Sequence, residues 1–311
     1  MKERVLAVDI GGTKVSVAAI DIEGRLIAQK KFLVENSSPI ALARAIARQI
    51  PPGASEAAAA GVVVPGIVYA ETGNVWAPNL WGHKQVSFRS ELEEALGLPV
   101  TLDSDRAGSA FGEQWLGAAR GLRDVVFLAV GTGIGAGIIS GGHLLRGTGD
   151  VAGAVGWFAL AVEHCERYRE VGCWEAEAAG PALARRSGVA TAEEAIRRAR
   201  AGDSEAQNAV AETARYLGLG IANLISVFNP EIVILGGGLM KAHDLFIDGI
   251  RNTVYQWAQP VAARQMRIEP SRLGEHAALL GAAKLAFDFL KERHVGNEIL
   301  RKDHGTSDKD S

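Results

Sequence analysis

The chain has 311 residues, with 33 lysines and arginines against 36 aspartates and glutamates, a formal charge of −3, so nucleic acid is excluded as the default partner. At roughly 100–200 residues per domain this length accommodates two domains, and a 48% hydrophobic content gives each a core and excludes a fully disordered chain. No apolar run reaches the ~18 residues of a membrane span, no signal-peptide pattern precedes Val5, and Cys165 and Cys173 are too few for a disulfide framework, so a soluble cytoplasmic protein is expected.

In chain order, residues 5–10, 15–22 and 26–34 are β-rich, with Glu23-Gly24 as a turn. Residues 38–50 show helical spacing through Ile40, Leu42, Ala45 and Ile46 and stop at Pro51-Pro52-Gly53. Residues 57–64 form a continuous apolar run closed by Pro65-Gly66, the pattern of a strand buried on both faces. Ser90-Glu91-Leu92-Glu93 has capping-box form, so a helix begins there or slightly earlier and ends at Gly97. A short strand, 99–102, then leads into Asp103-Ser104-Asp105 and a helix over 106–116. This is an α/β pattern with helices covering a mixed sheet.

The second half repeats the beginning. A strand, a Gly/Thr turn and a second strand occur first through Asp9-Ile10-Gly11-Gly12-Thr13-Lys14 and again through Gly131-Thr132-Gly133-Ile134-Gly135. An internally duplicated, two-lobed architecture with a cleft between the lobes follows. A long helix over 203–228 stops at Asn229-Pro230, strand 231–235 runs into Gly236-Gly237-Gly238, and a last helix begins at Ala277. We expect a smaller lobe over 1–117, joined by a helix at 277–293, a larger lobe over 118–276, and a mobile polar tail over 294–311.

Glycine supplies 37 residues, well above the typical ~7%, and three glycine clusters each follow an apolar strand. Backbone N–H groups in such turns converge on anions, and the missing Cβ lets a phosphate approach. The chain continues as strand after Gly11 and Gly131, so neither a Walker A loop nor a dinucleotide fingerprint opening a helix fits. Asp9, directly before the first turn, either caps it or faces a phosphate through a cation, for which Mg²⁺ is the natural choice. Asp105 is either the N-cap of the following helix or an acid placed to accept a proton from a substrate hydroxyl.

Asp9 to Lys14, Val64-Pro65-Gly66, Pro78-Asn79-Leu80, Ser104-Asp105-Arg106-Ala107 through Gly112-Glu113, Gly131 to Gly135 and Leu235 to Gly238 stand in the order and spacing of the ROK family, which the chain resembles over roughly residues 4–290. That resemblance implies an actin-like, ribonuclease-H-like ATPase fold and an ATP- and Mg²⁺-dependent sugar kinase, glucokinase-like, acting on a hexose hydroxyl. It implies that Asp9 holds the Mg²⁺ environment, that Gly11, Gly12, Thr13 and Lys14 meet the outer phosphates, and that Gly131, Thr132 and Gly133 form the second phosphate turn. Gly236, Gly237 and Gly238 then border the nucleoside, while Gly66, Asn79, Asp105 and Glu175 contact the sugar, Asp105 as catalytic base. It also implies a homodimer, with sugar and ATP as the small-molecule partners.

Two departures stand out. Where the family carries Glu-x-Gly-His, this chain has Ala154-Val155-Gly156-Trp157, which removes two polar sugar contacts and offers the indole of Trp157 as an apolar face for the sugar. The family's zinc motif survives only as Cys165 and Gly172-Cys173, so no structural zinc is expected, and packing among Trp157, Phe158, Tyr168 and Trp174 is expected to hold that loop instead. Arg106, beside the base, is either an exposed arginine of the helix start or a partner for an anionic substrate group. The alternative to a kinase is a sugar or nucleotide sensor on the same fold; a repressor is disfavoured because too few residues precede Asp9 for a helix-turn-helix.

Overall fold

The computed structural model describes residues 4–34 and 38–304, with side chains as far as Val295. The chain divides into two compact units, one made from the described parts of Met1–Gly112 and Ala278–Ser311 and the other from Glu113–Ala277.

In the first unit, β1 (Arg4–Ile10), β2 (Lys14–Asp21) and β3 (Leu26–Leu33) form an antiparallel meander, and β4 (Ala60–Val64) and β8 (Val100–Ser104) extend it in parallel, giving the order β3-β2-β1-β4-β8. Between the last two lie β5 (Ile67–Tyr69), β6 (Asn74–Trp76) and β7 (Gln85–Ser87), a small antiparallel sheet. Every residue of β4 is buried, because helices cover both faces of the sheet where it lies. The helices of this unit are α1 (Pro39–Arg48), α2 (Pro78–Trp81), α3 (Arg89–Leu96) and α4 (Asp105–Leu116), whose last turn passes into the second unit. The capping box expected at Ser90 does not form. Buried Phe88 is the N-cap of α3 and contributes no side-chain cap, while the Ser90 hydroxyl meets that of Ser87 at 3.1 Å. The hydrophobic anchor sets the start of the helix, ahead of the serine.

The second unit repeats this sheet. Strands β9 (Val125–Val130), β10 (Ile134–Ser140) and β11 (His143–Leu144) are antiparallel, and β12 (Ile232–Gly236) and β13 (Arg267–Pro270) add in parallel, in the order β11-β10-β9-β12-β13. Its helices are α5 (Glu166–Val171), α6 (Cys173–Ala178), α7 (Gly180–Arg186), α8 (Ala192–Arg200), α9 (Ser204–Phe228), α10 (Ile247–Trp257) and α11 (Pro260–Gln265). Asp203 caps α9 by accepting from Ala206 N–H, and Asn229, left-handed at φ 42°, ends it before Pro230. Leu217, Ile221, Leu224 and Ile225 give α9 a fully buried stripe.

Helix α12 (Ala277–His304) returns to the first unit. Its backbone lies so close to β4 that a Cβ on Gly61 would stand 1.7 Å from the Ala282 carbonyl oxygen. The helix runs beyond residue 294, where the sequence suggests a mobile tail; residues 305–311 of that tail lie outside the described residues.

Candidate active site

The first unit gathers carboxylates at the ends of its central strands. Asp9 stands opposite Ser16, and Ser16 opposite Lys31; on the other side Asp9 pairs with Val63, and Val63 with Asp103. Residues in such a row share one face of the sheet. Lys31, Asp9 and Asp103 are thus brought to one face by register alone. No hydrogen bond reaches the Asp9 carboxylate among the described residues, and burial together with the Asp105 charge pushes its pKa up to about 7, against the opposing pull of Lys31.

Asp105 opens α4, but Ser104 does the capping. Its Oγ accepts the Ala107 N–H at 3.3 Å, the bond that defines an N-cap, whereas Asp105 Oδ1 accepts the adjacent Arg106 N–H at 2.8 Å within that first turn. The capping role that sequence left open for Asp105 therefore falls one residue earlier. Burial raises the pKa of Asp105, with the Arg106 guanidinium and N–H acting the other way. Arg106 is half-buried and feels both Asp105 and Asp103, so it is not an exposed arginine of the helix start.

The hairpin turn next to Asp9 is closed by Gly11 N–H donating to the Lys14 carbonyl at 2.8 Å, and Val34 N–H ties Thr13 to the end of β3 at 2.9 Å. Gly12, Thr13 and Lys14 are exposed. A Cβ on Gly12 would meet nothing within 4 Å, and its φ is not in the left-handed region. Neither backbone nor packing requires glycine there, which suits the approach of a ligand. Gly66 is different: its φ of 106° and a 2.2 Å approach of its notional Cβ to the Trp76 carbonyl oxygen account for the glycine without a ligand. Asn79 lies exposed on α2.

In the second unit the other two glycine clusters meet. A Cβ on Gly131 would lie 3.6 Å from the Gly238 nitrogen, and Gly131, Thr132 and Gly238 together line a cavity of about 610 Å³, within the range of small-molecule sites. Gly236 and Gly237 have structural explanations, the first packed on the Phe127 ring and the second at φ 90° against the Val130 backbone. Gly238 repeats the openness of Gly12. The other walls come from Pro181, Thr191, Glu193, Ile196 and Lys241, residues the sequence reading missed. Their signal was the Thr191-x-x-Glu194 start of α8, where Thr191 Oγ1 accepts the Glu194 N–H at 3.2 Å.

The sequence pattern of the ROK family matches residues 5–288. The chain belongs to the ROK family. It is 34% identical to a glucokinase of Streptomyces coelicolor, over 90% of this chain and 96% of that one. The structure of a ROK family glucokinase from Streptomyces griseus in complex with glucose and AMPPNP superposes with a TM-score of 0.77 at 31% identity, covering 92% of this chain and 99% of that one. A xylose repressor of Bacillus spizizenii is 26% identical over 91% of this chain and 77% of its own length. The fold is accordingly the actin-like, ribonuclease-H-like ATPase fold.

Against that family background the loop around the cysteines stands apart. Cys165 is exposed, Cys173 is buried with its Sγ accepting the Leu160 N–H at 3.4 Å, and no group of three or more His, Cys, Asp or Glu side chains among the described residues is placed to hold a metal ion. The expected four-aromatic cluster needs correction. Phe158 and Trp174 stack at 5.7 Å and 8°, whereas Tyr168 turns to Glu177 and His164, and Trp157 is 57% exposed. Trp157 ends a short 3₁₀ turn, Val155–Trp157, with its indole in solvent. Glu175 accepts the Ile134 N–H at 2.7 Å, immediately beyond the second glycine turn, and burial raises its pKa against that bond.

Proposed function

We propose that the chain is an ATP-dependent sugar kinase that transfers the γ-phosphoryl group of ATP to the primary hydroxyl of a hexose. The observation that carries this reading is the state of Asp105: a desolvated carboxylate at a helix start whose capping duty belongs to Ser104. It is thereby left to accept the proton of an alcohol. As the substrate oxygen bonds to the γ-phosphorus and the bond to the bridging oxygen breaks, that proton passes to Asp105 and ADP leaves. In this reading Asp105 is the base, Gly12 and Thr13 meet the outer phosphates, and Gly131, Thr132 and Gly238 meet the rest of the nucleotide.

Mg²⁺ fits the residues present. A carboxylate with no hydrogen bond among the described residues, facing a second carboxylate, suits a hydrated divalent cation, and Asp9 would hold it. Bound there, the ion neutralises phosphate charge. Similarity to a glucokinase seen with glucose and AMPPNP supports both ligands.

A second reading, a sugar or nucleotide sensor, is favoured by one observation: Ala154 and the solvent-exposed Trp157 present no charged group to a sugar. Each missing hydrogen bond to a charged group weakens binding by about 1.5–3 kcal/mol. ADP release measured over a panel of hexoses, aminosugars and polyols, with Asp105→Asn as control, decides between them. Turnover that Asp105→Asn abolishes supports the kinase; nucleotide binding without turnover on any sugar supports the sensor.

A further inference from the structure

The turn Gly131–Gly133 is fixed at both ends by one neighbouring segment. Glu175 on α6 accepts the N–H of Ile134 at 2.7 Å, and Gly180, the first residue of α7, donates its N–H to the Gly131 carbonyl at 2.8 Å. A Cβ on Gly133 would stand 2.6 Å from Glu175 Oε2, so turn and carboxylate are in close register.

That segment is itself pinned by a charge pair that has no role in the chemistry above. Glu177, on α6 between the two contacts, receives Arg186 Nη2 on Oε2 and the Tyr168 hydroxyl on Oε1 at 3.0 Å, and its side chain is 13% exposed. Arg186 also donates to the Glu177 carbonyl and to Thr213 Oγ1 at 3.5 Å, and its guanidinium lies 5.0 Å above the centre of the Tyr216 ring. Thr213 and Tyr216 belong to α9, the longest buried helix of the unit. Arg185 adds a bond to the Ala176 carbonyl at 2.9 Å. A half-buried ion pair is a poor source of stability compared with apolar packing, but its directional bonds fix register.

We propose that Glu177 and Arg186 are positioning residues for the phosphate turn: their ion pair ties α6 to α7, with Arg186 also reaching α9, and so holds Glu175 and Gly180 where they shape Gly131–Gly133. The proposal rests on the reading of that turn as nucleotide-binding. Removing the lock leaves the turn's own sequence intact but lets its two anchors drift, and small displacements of positioning groups cost disproportionately.

Glu177→Gln, Arg186→Met, the double variant and Arg186→Lys test this by calorimetric titration with Mg·AMPPNP, with thermal melting and steady-state kinetics alongside. The expected result is about tenfold weaker AMPPNP binding and a raised KM for ATP in each neutral single variant. The double variant is expected to be no worse than the poorer single one, because both remove the same contact. Arg186→Lys keeps the charge and the fold but loses the planar fork, and an intermediate loss of about threefold is expected. Folded variants, Arg186→Lys included, that bind AMPPNP as wild type does, even with a lower melting temperature, overturn this proposal alone. Wild type that binds no nucleotide overturns the reading of the turn, and the proposal with it.

Discussion

Ser271 donates its hydroxyl to Glu113 Oε1 at 2.5 Å, joining residues 158 positions apart. Glu113 is completely buried, and its two oxygens also accept the N–H groups of Leu273 at 2.9 Å and Ala118 at 2.7 Å. One carboxylate therefore fixes the chain where it leaves α4 and again where it approaches α12. Glu113→Ala strands three donors at once, and each buried unsatisfied group costs about 1–3 kcal/mol. A loss of at least about 3 kcal/mol in urea unfolding is expected, against about 1 kcal/mol for Ser271→Ala, which leaves the two N–H bonds in place. Equal losses in the two variants would show that Glu113 acts through Ser271 alone.

Glycines in the same motif separate by physical role. Gly12→Ala and Gly238→Ala place a methyl group in open space with no left-handed φ to strain. Both variants are expected to melt within a few degrees of wild type and to lose AMPPNP affinity. Gly237→Ala meets the Val130 backbone at 2.4 Å with φ at 90°, and should destabilise the fold by more than about 1 kcal/mol. Unchanged nucleotide affinity in both Gly12→Ala and Gly238→Ala would remove the ligand explanation for their openness.

Much of this was legible in the sequence where a signal was local and strong. The two Gly/Thr turns flanked by strands announced a duplication, and each unit does carry a five-stranded sheet of the same connectivity, antiparallel on one side and parallel on the other. The three-residue strands β5, β6 and β7 escaped notice, because a run that short has no measurable period. Helices α7 and α8 were also missed: alanine lines much of their cavity face, and alanine gives periodicity little contrast. The site was half visible. Motif spacing singled out Asp105, but only the folded helix start shows that Ser104 takes the cap, since both residue types cap helices equally well.

That division of labour predicts opposite effects at adjacent positions. Ser104→Ala removes the α4 cap and should cost about 0.5–2 kcal/mol, with catalysis reduced only as far as Asp105 shifts. Asp105→Asn removes a carboxylate that burial disfavours, so its melting temperature at neutral pH should equal or exceed that of wild type while turnover disappears. A clear loss of stability in Asp105→Asn would instead make that carboxylate a structural element.

The cysteine loop yields a prediction about metal removal. Its stability rests on the Phe158–Trp174 stack and on Cys173 accepting from Leu160. Prolonged dialysis against a zinc-selective chelator is expected to leave both the melting temperature and nucleotide affinity unchanged. Stoichiometric zinc in the purified protein, with a fall in melting temperature on its removal, would be the contrary result.

Glu175 supplies a pH dependence whose direction is fixed by its surroundings. Burial raises its pKa above the ordinary 4.5, and the Ile134 N–H only partly offsets this. A carboxyl with a raised folded value gives the folded state its full benefit below the unfolded value and loses that benefit as pH rises through the folded one. In Glu175→Gln the amide oxygen still accepts the Ile134 N–H while no charge is buried. The stability of Glu175→Gln relative to wild type should therefore grow as pH rises above the ordinary carboxyl value of 4.5, in urea unfolding at fixed ionic strength. If wild type instead gains on the variant as pH rises, the carboxylate is stabilised by its environment, and burial is not the dominant influence on it.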